Sequence, residues 1–114
     1  MTERFLLTPI MHRAVEHNGL VFLGGTTCDD PTLDMGGQTR EVLKKIEGHL
    51  ALAGTDKANL LSATIFVTDL SKKSEMDTAW KEWLPPTSFP ARATVGVANL
   101  GGGALIEVII IAHK

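Results

Sequence analysis

Two charged residues, Arg92 and Glu107, interrupt the otherwise apolar ending of this 114-residue chain, which reads "FPARATVGVANLGGGALIEVIIIAHK". A charge buried without a partner costs on the order of several kcal/mol, so such residues are kept where they are paired or used. A planar guanidinium binds a carboxylate through two parallel hydrogen bonds, and a carboxylate can orient a water molecule and accept its proton. Together the two groups suit a small anionic substrate that is attacked by water.

The same residues also have a structural interpretation, in which Arg92 and Glu107 form an ion pair or Glu107 reaches solvent at a strand end. If the strands that carry them form a hairpin through "NLGGG", both side chains fall near the same region of the sheet. The residue types alone favour the structural interpretation, and the chemical one stays open beside it.

The elements that must position these residues can be predicted from pattern. Asn18-Gly19, between two strand-like runs, predicts a tight hairpin, because both central positions of that turn need positive φ. Apolar residues at helical spacing predict a first helix from about Gln38 to Ala53. A second helix is predicted in "SKKSEMDTAWKEWL", which a pair of prolines ends. Strands are predicted in "RFLLT", "HRAVEH", "LVFLGG", "LLSATIFVTD", "ARATVGVAN" and "LIEVIIIAH".

The resulting order is β-β-β-α-β-α-β-β, in which each helix joins two strands and is a candidate crossover between parallel strands. This order predicts an α+β fold, a two-layer sandwich in which a mixed sheet carries two helices on one face. The last strand is apolar at both alternating sets of positions, which is typical of a strand covered on both faces. Two helices cover only one face, so we expect a second copy of the chain to cover the other. Coverage of a strand edge by the N-terminal segment is the alternative.

Composition sets further bounds on the chain. Its length predicts one domain over residues 1–114, and 44% hydrophobic with 21% charged residues is typical of a globular protein. The net charge of -2 and the lack of a Lys/Arg cluster argue against a nucleic-acid surface. A single cysteine, Cys28, excludes an intrachain disulfide and fits a reducing compartment. No apolar run suggests a membrane span or signal peptide, so we expect a cytoplasmic protein. No His or Cys spacing predicts a metal site.

The C-terminal segment resembles the signature of the RidA-like reactive intermediate deaminase family, also called YjgF-type proteins. The matching elements are Pro90, Arg92, Thr94-Val95, Leu100, Ile106 and Glu107. Upstream, "GGQTREVLKKIEGHLALAG" is similar to the family's first helix, and "LLSATIFVTDLSKKSEMDTAWKEW" is similar to its central strand and second helix. The resemblance runs from about Val15 to the end of the chain.

This resemblance implies a chorismate-mutase-like fold that assembles as a homotrimer, with the sheets forming an inner barrel and sites in clefts between subunits. It implies hydrolysis of reactive 2-imino or enamine acids to 2-keto acids and ammonia. Arg92 would bind the substrate carboxylate, and Glu107 would position the attacking water. Neither a metal nor an organic cofactor is expected.

The chain departs from the family pattern around these two residues. The archetypal deaminases have a tyrosine where Met11 or His12 stands here, a serine at Gly24, an asparagine at Asp77 and a cysteine at Thr94. By the resemblance, His12, Gly24, Asp77 and Thr94 are expected to bind substrate beside Arg92. The altered surroundings keep open a trimer that binds or senses a small carboxylate without turnover. RNA cleavage, a third function attached to parts of the family, is disfavoured by the acidic charge balance.

Overall fold

A computed structural model describes all 114 residues, which form one sheet of six strands and two helices. Three short 3-10 turns, at Lys57–Asn59, Leu70–Lys72 and Pro86–Ser88, complete the regular structure. The element order confirms the predicted one. The elements are β1 (Thr2–Leu7), β2 (His12–His17), β3 (Leu20–Leu23), α1 (Met35–Leu52), β4 (Leu60–Val67), α2 (Lys73–Trp83), β5 (Ala91–Gly96) and β6 (Ile106–His113).

The strands lie in the order β1-β2-β3-β6-β4-β5. β4 and β5 are parallel, whereas every other neighbouring pair is antiparallel, so the sheet is mixed as predicted. α1 leads from β3 to β4 and α2 leads from β4 to β5, and each helix therefore connects two strands of the same direction. β5 and β6 do not form the hairpin considered above, because β4 lies between them and pairs with both.

The turn at Asn18 and Gly19 has the predicted geometry. Both residues have positive φ, 53° at Asn18 and 79° at Gly19, and the strands on either side pair in antiparallel register. This turn fixes the alternation of β2 and β3 and therefore decides which of their side chains face the helices.

α1 begins at Met35, three residues before the predicted start at Gln38, because Asp34 caps the helix and its Oδ1 accepts a hydrogen bond from the Gly37 amide at 2.8 Å. Two glycines in the first turn hide this start from an apolar pattern. Gln38 itself is fully buried and links the helix to the residue just before β6, because its Oε1 accepts a hydrogen bond from the Leu105 amide at 2.7 Å.

The two faces of the sheet differ in what covers them. Both helices pack on one face, where Ile65, Ile106 and Ile110 are completely buried. No helix packs on the opposite face, here called the open face, although it is largely apolar. Its register aligns Val15, Phe22 and Ile111 in one row, Ile109, Thr64 and Ala93 in the next, and Glu107, Phe66 and Val95 in the third. One apolar face of β6 is covered by the helices and the other lies on the open face, so its predicted cover by a second copy of the chain stays a prediction. Neither helix combines the length and apolar composition needed to cross a membrane.

Candidate functional site

Arg92 projects from the edge strand β5 towards α2. Its Cα partner on β4 is Ala63, which is buried beneath the helices, so the two side chains share the helix-covered face. The guanidinium Nη2 donates a hydrogen bond of 2.7 Å to Asp77 Oδ1. Its Cζ lies 5.3 Å from the centroid of the Trp80 ring, which is within cation–π range. Arg92 is thus held by a carboxylate and an aromatic ring, both from α2.

Asp77 is the centre of a small charge network. Its Oδ2 accepts a hydrogen bond of 2.7 Å from Lys73 Nζ, one turn earlier on α2. Burial of the Asp77 carboxyl raises its pKa, but the hydrogen bonds and positive charges of Lys73 and Arg92 outweigh burial and hold the pKa below its ordinary value. Asp77 is therefore ionised at neutral pH, and the three groups together carry one net positive charge.

A cavity of about 270 Å³ opens beside this network. Trp80, Phe89 and Pro90 supply its apolar wall, and Asp77, Lys81 and Arg92 supply its charged groups. Apolar walls with a few convergent polar groups are typical of small-molecule sites. The cavity is therefore suited to a small anion that also carries an apolar portion.

Glu107 lies on the open face, on the other side of the sheet from Arg92. Its Cα partner on β4 is Phe66, whereas Arg92 aligns with Ala63, three residues earlier on the same strand. Three residues span about 10 Å along a strand, and an odd separation places the side chains on opposite faces. Glu107 makes no side-chain hydrogen bond or ion pair within the chain, so both of its carboxylate oxygens are available to accept hydrogen bonds.

The segment after β3 packs against the Glu107 carboxylate. A Cβ added at Gly25 would overlap Glu107 Oε2, so only glycine fits there without a shift of that carboxylate. At Gly24, a Cβ would lie 3.1 Å from the Sδ of Met11, which is a flexible side chain. Thr26 continues the pairing, since its amide donates to the Val108 carbonyl at 3.0 Å. The main chain of Gly25 and Thr26 therefore runs directly beside the Glu107 side chain.

The sequence-predicted site residues divide into two groups. Asp77, on α2, and Thr94, on β5, lie on the same side of the sheet as Arg92. The hydroxyl oxygen of Thr94 is buried without a hydrogen-bond partner. Gly24 lies next to Gly25 on the Glu107 side. His12 is near it, since its carbonyl oxygen would be 3.7 Å from a Cβ at Gly24. A single chain therefore does not bring the side chains of Arg92 and Glu107 together.

Sequence reasoning missed the partner of Arg92. The ion pair considered for Arg92 and Glu107 is absent, and Asp77 takes that place. Lys73, Asp77 and Lys81 recur at four-residue spacing and share a helix face, which predicts the Lys73–Asp77 pair but not the contact with Arg92. Gly25 also escaped notice, because its role depends on a contact between distant segments. The structure brings no three His, Cys, Asp or Glu side chains together as a candidate metal centre.

Comparison with known proteins identifies similar sequences. A family model described as Endoribonuclease L-PSP matches residues 6–114. A RutC family protein from Haemophilus influenzae is 33% identical over 112 residues, covering 96% of each chain. A RutC family protein from Haemophilus ducreyi is 30% identical over 112 residues, covering 98% of this chain and 96% of the other.

Solved structures give the same result for the fold. A member of the YjgF protein family from Neisseria meningitidis superimposes with a TM-score of 0.95 at 34% identity, covering 100% of this chain and 95% of that one. A member of the YjgF/YER057c/UK114 family from Mycobacterium tuberculosis superimposes with a TM-score of 0.90 at 27% identity over the full length of both chains. The mixed sheet with two helices on one face is therefore the YjgF-type, chorismate-mutase-like fold.

Proposed function

The chain belongs to the family described as Endoribonuclease L-PSP, with the YjgF and RutC proteins, and from this premise we propose that it hydrolyses reactive 2-imino or enamine acids to 2-keto acids and ammonia. The observation that carries the proposal is Arg92, a guanidinium held beside a cavity of about 270 Å³ with most of its donors unused. This arrangement supports recognition of a small carboxylate.

Arg92 would bind the substrate carboxylate. The single hydrogen bond to Asp77 uses one of the five guanidinium N–H groups. Because it falls on Nη2, one complete edge of two parallel donors is left for a second carboxylate, the geometry that arginine uses for bidentate recognition. The apolar wall of Trp80 and Phe89 would receive the remainder of the substrate.

Glu107 would activate the water. As the water oxygen attacks C2 of the protonated imine, Glu107 accepts a proton from it and a tetrahedral carbinolamine forms. Glu107 then returns that proton to the nitrogen. The C2–N bond breaks as the C2–O bond becomes a carbonyl, and the hydroxyl proton leaves with ammonia as ammonium. The products are a 2-keto acid and ammonium, so atoms and charge balance without a further reactant.

For this chemistry to occur in one site, Arg92 and Glu107 must come from different protomers. Arg92 and Glu107 lie on opposite faces of their own sheet, and the open face exposes apolar side chains, including 42% of Phe22 and 41% of Val95. Exposed apolar faces of this kind mark interaction surfaces. We therefore propose a homotrimer in which the open faces form an inner barrel and each site lies in a cleft between two subunits.

A coupled imine-hydrolysis assay tests the proposed function. An amino-acid oxidase generates 2-imino acids from several L-amino acids, and semicarbazide traps the imine that remains. The wild type should lower trapping, and Arg92→Ala should lower kcat/KM by roughly 10²- to 10⁴-fold, because two charge-assisted hydrogen bonds of roughly 1.5–3 kcal/mol each are lost. Arg40→Ala is the matched control, since Arg40 is an exposed arginine paired with Glu82 outside the cavity. Unchanged trapping by the wild type across all imines would refute the deaminase proposal.

The alternative is a trimer that binds a small carboxylate without turnover. The observation that favours this alternative is the ion pair between Arg92 and Asp77, which differs from the arrangement expected by resemblance. Glu107→Gln separates the two functions. It should abolish imine hydrolysis while carboxylate binding persists if the protein is an enzyme, whereas a mere binding protein has no turnover to lose. RNA cleavage, which the family description names, would instead give RNA binding with a steep salt dependence.

A further inference from the structure

We propose that Asp77 is a positioning residue that fixes the Arg92 guanidinium in the cavity and lowers the cavity's affinity for carboxylates, an inference that rests on the proposed function of Arg92 as the carboxylate anchor. The resemblance suggested Asp77 as a substrate-binding residue. The geometry assigns it a different role, because both of its carboxylate oxygens are already engaged by Arg92 and Lys73.

The position of the guanidinium follows from its two neighbours on α2. Asp77 and Trp80 are three residues apart and therefore present adjacent side chains on one helix face. Asp77 accepts a hydrogen bond from Nη2 at 2.7 Å, and the Trp80 ring centroid lies 5.3 Å from Cζ. Trp80 is 4% exposed, which makes it a rigid surface. A guanidinium held by both groups keeps one orientation without substrate, so less side-chain entropy is lost on binding.

The affinity effect follows from charge. Asp77 places a full negative charge in hydrogen-bond contact with the cation that would attract the substrate carboxylate. The Arg92 and Asp77 side chains are only 21% and 24% exposed, so solvent screens this charge incompletely. Lys73, at 42% exposure, offsets part of it from the solvent side. The substrate carboxylate must therefore bind a guanidinium whose field is partly cancelled.

An asparagine at this position would keep the hydrogen bond from Arg92, lose the one from Lys73 and remove the negative charge. Its amide oxygen accepts from Arg92 as the carboxylate does, so Asp77→Asn preserves the orientation. Asp77→Ala removes the charge and the acceptor together. A difference in affinity between the two variants therefore measures the positioning of Arg92, whereas the difference between Asp77→Asn and the wild type measures the effect of the charge. If Asp77 only supported the fold, neither substitution would raise the affinity for carboxylates.

The test is a titration of full-length protein, in its native assembly, with 2-oxobutanoate, an unreactive 2-keto acid, by isothermal calorimetry. We expect Asp77→Asn to bind about tenfold more tightly than the wild type, with the gain shrinking as salt is raised. Asp77→Ala should bind more weakly than Asp77→Asn, because Arg92 loses its orientation. Glu75→Gln is the matched control, since Glu75 is an exposed acid on the same helix and has no ion pair; it should bind within about twofold of the wild type.

Equal affinities for Asp77→Asn and Glu75→Gln would overturn the inference, as would a lack of measurable binding by both the wild type and Asp77→Asn. The imine-hydrolysis assay distinguishes this outcome from failure of the proposed function. Tighter binding by Asp77→Asn without any imine turnover refutes the deaminase and leaves the role of Asp77 intact. Imine turnover by the wild type without a gain in affinity in Asp77→Asn supports the deaminase and refutes the proposed role of Asp77.

Discussion

Arg92 and Glu107 lie on opposite faces of the same sheet, on the two strands that flank β4. Arg92 points towards α2 and Glu107 towards the open face, so the thickness of the sheet separates the proposed carboxylate anchor from the proposed water-activating acid. A site that uses both groups needs Arg92 from one protomer and Glu107 from another. This relationship makes the assembly part of the proposed chemistry.

The first prediction is complementation between two inactive variants. Arg92→Ala keeps Glu107, and Glu107→Gln keeps Arg92. When equal amounts are unfolded and refolded together, random assembly should restore about a quarter of the wild-type sites, because only sites that combine the intact residue from each variant are active. The imine-hydrolysis rate of the mixture measures this recovery. Mixing without refolding is the control, and a mixture as inactive as its components would indicate that both groups act within one protomer.

The second prediction concerns Gly25. Because a Cβ there overlaps Glu107 Oε2, Gly25→Ala should displace the carboxylate and lower the imine-hydrolysis rate at least about tenfold; the loss of stability should be only about 1 kcal/mol, since the atoms that must move are the end of a side chain. Gly48→Ala is the control, since a Cβ at this exposed glycine of α1 meets no atom within 4 Å and the position lies away from both Arg92 and Glu107. Glu107→Asp, which shortens the acid by one methylene, should recover part of the stability lost in Gly25→Ala. Urea unfolding of the single and double variants measures that coupling, and strict additivity would argue against the contact.

Much of the fold could be predicted because its signals are local. The Asn18-Gly19 turn needs positive φ, and the proline pair after α2 forbids a longer helix. The two-sided apolar pattern of β6 predicted a strand that is apolar on both faces without any knowledge of strand order, and the structure has apolar side chains on both. The start of α1 was misplaced because its first turn contains two glycines, and the capping side chain of Asp34, not an apolar pattern, decides where that helix begins.

The candidate site was less predictable because it depends on strand order. β5 and β6 are consecutive in the sequence, so a hairpin between them was a reasonable expectation, and it placed Arg92 beside Glu107. In the structure β4 inserts between them, and the register assigns the two residues to opposite faces. The Asp77 partner arises from α2 packing over β5, a contact that no local pattern contains. The residue types suggested the proposed chemistry of Arg92 and Glu107. Their relative placement could be known only from the order of the strands in the sheet.

The third prediction tests the open face as an interface. Ile109 is in the middle row of that face, where it pairs with Thr64 on β4. Ile109→Asp should convert the assembly to monomers at micromolar concentration, because an unpaired charge in a buried apolar interface costs on the order of several kcal/mol. Leu52→Asp is the control, since Leu52 is 56% exposed on α1 and lies on the helix layer. Light scattering after gel filtration gives the mass of each variant, and an unchanged mass for Ile109→Asp would place the interface elsewhere.

The fourth prediction is a pH dependence of stability that arises from His49 on α1. Burial lowers the pKa of His49, and the nearby charges of Arg13 and Lys45 lower it further, while its Nδ1 is buried without a partner. With a folded pKa below the unfolded value of about 6.5, the unfolded chain binds more protons, so the free energy of unfolding falls as pH drops below about 7. His49→Gln removes this titration and should flatten the dependence between about pH 7 and pH 5.

Urea unfolding at a series of pH values measures this effect. His17→Gln is the matched control, because His17 is exposed at the end of β2 and its removal takes away the same kind of titratable group from a solvated position. The wild type and His17→Gln should lose stability in parallel on acidification, whereas His49→Gln should lose less. If all three proteins lose stability equally, the pH dependence of the free energy of unfolding originates in groups other than His49.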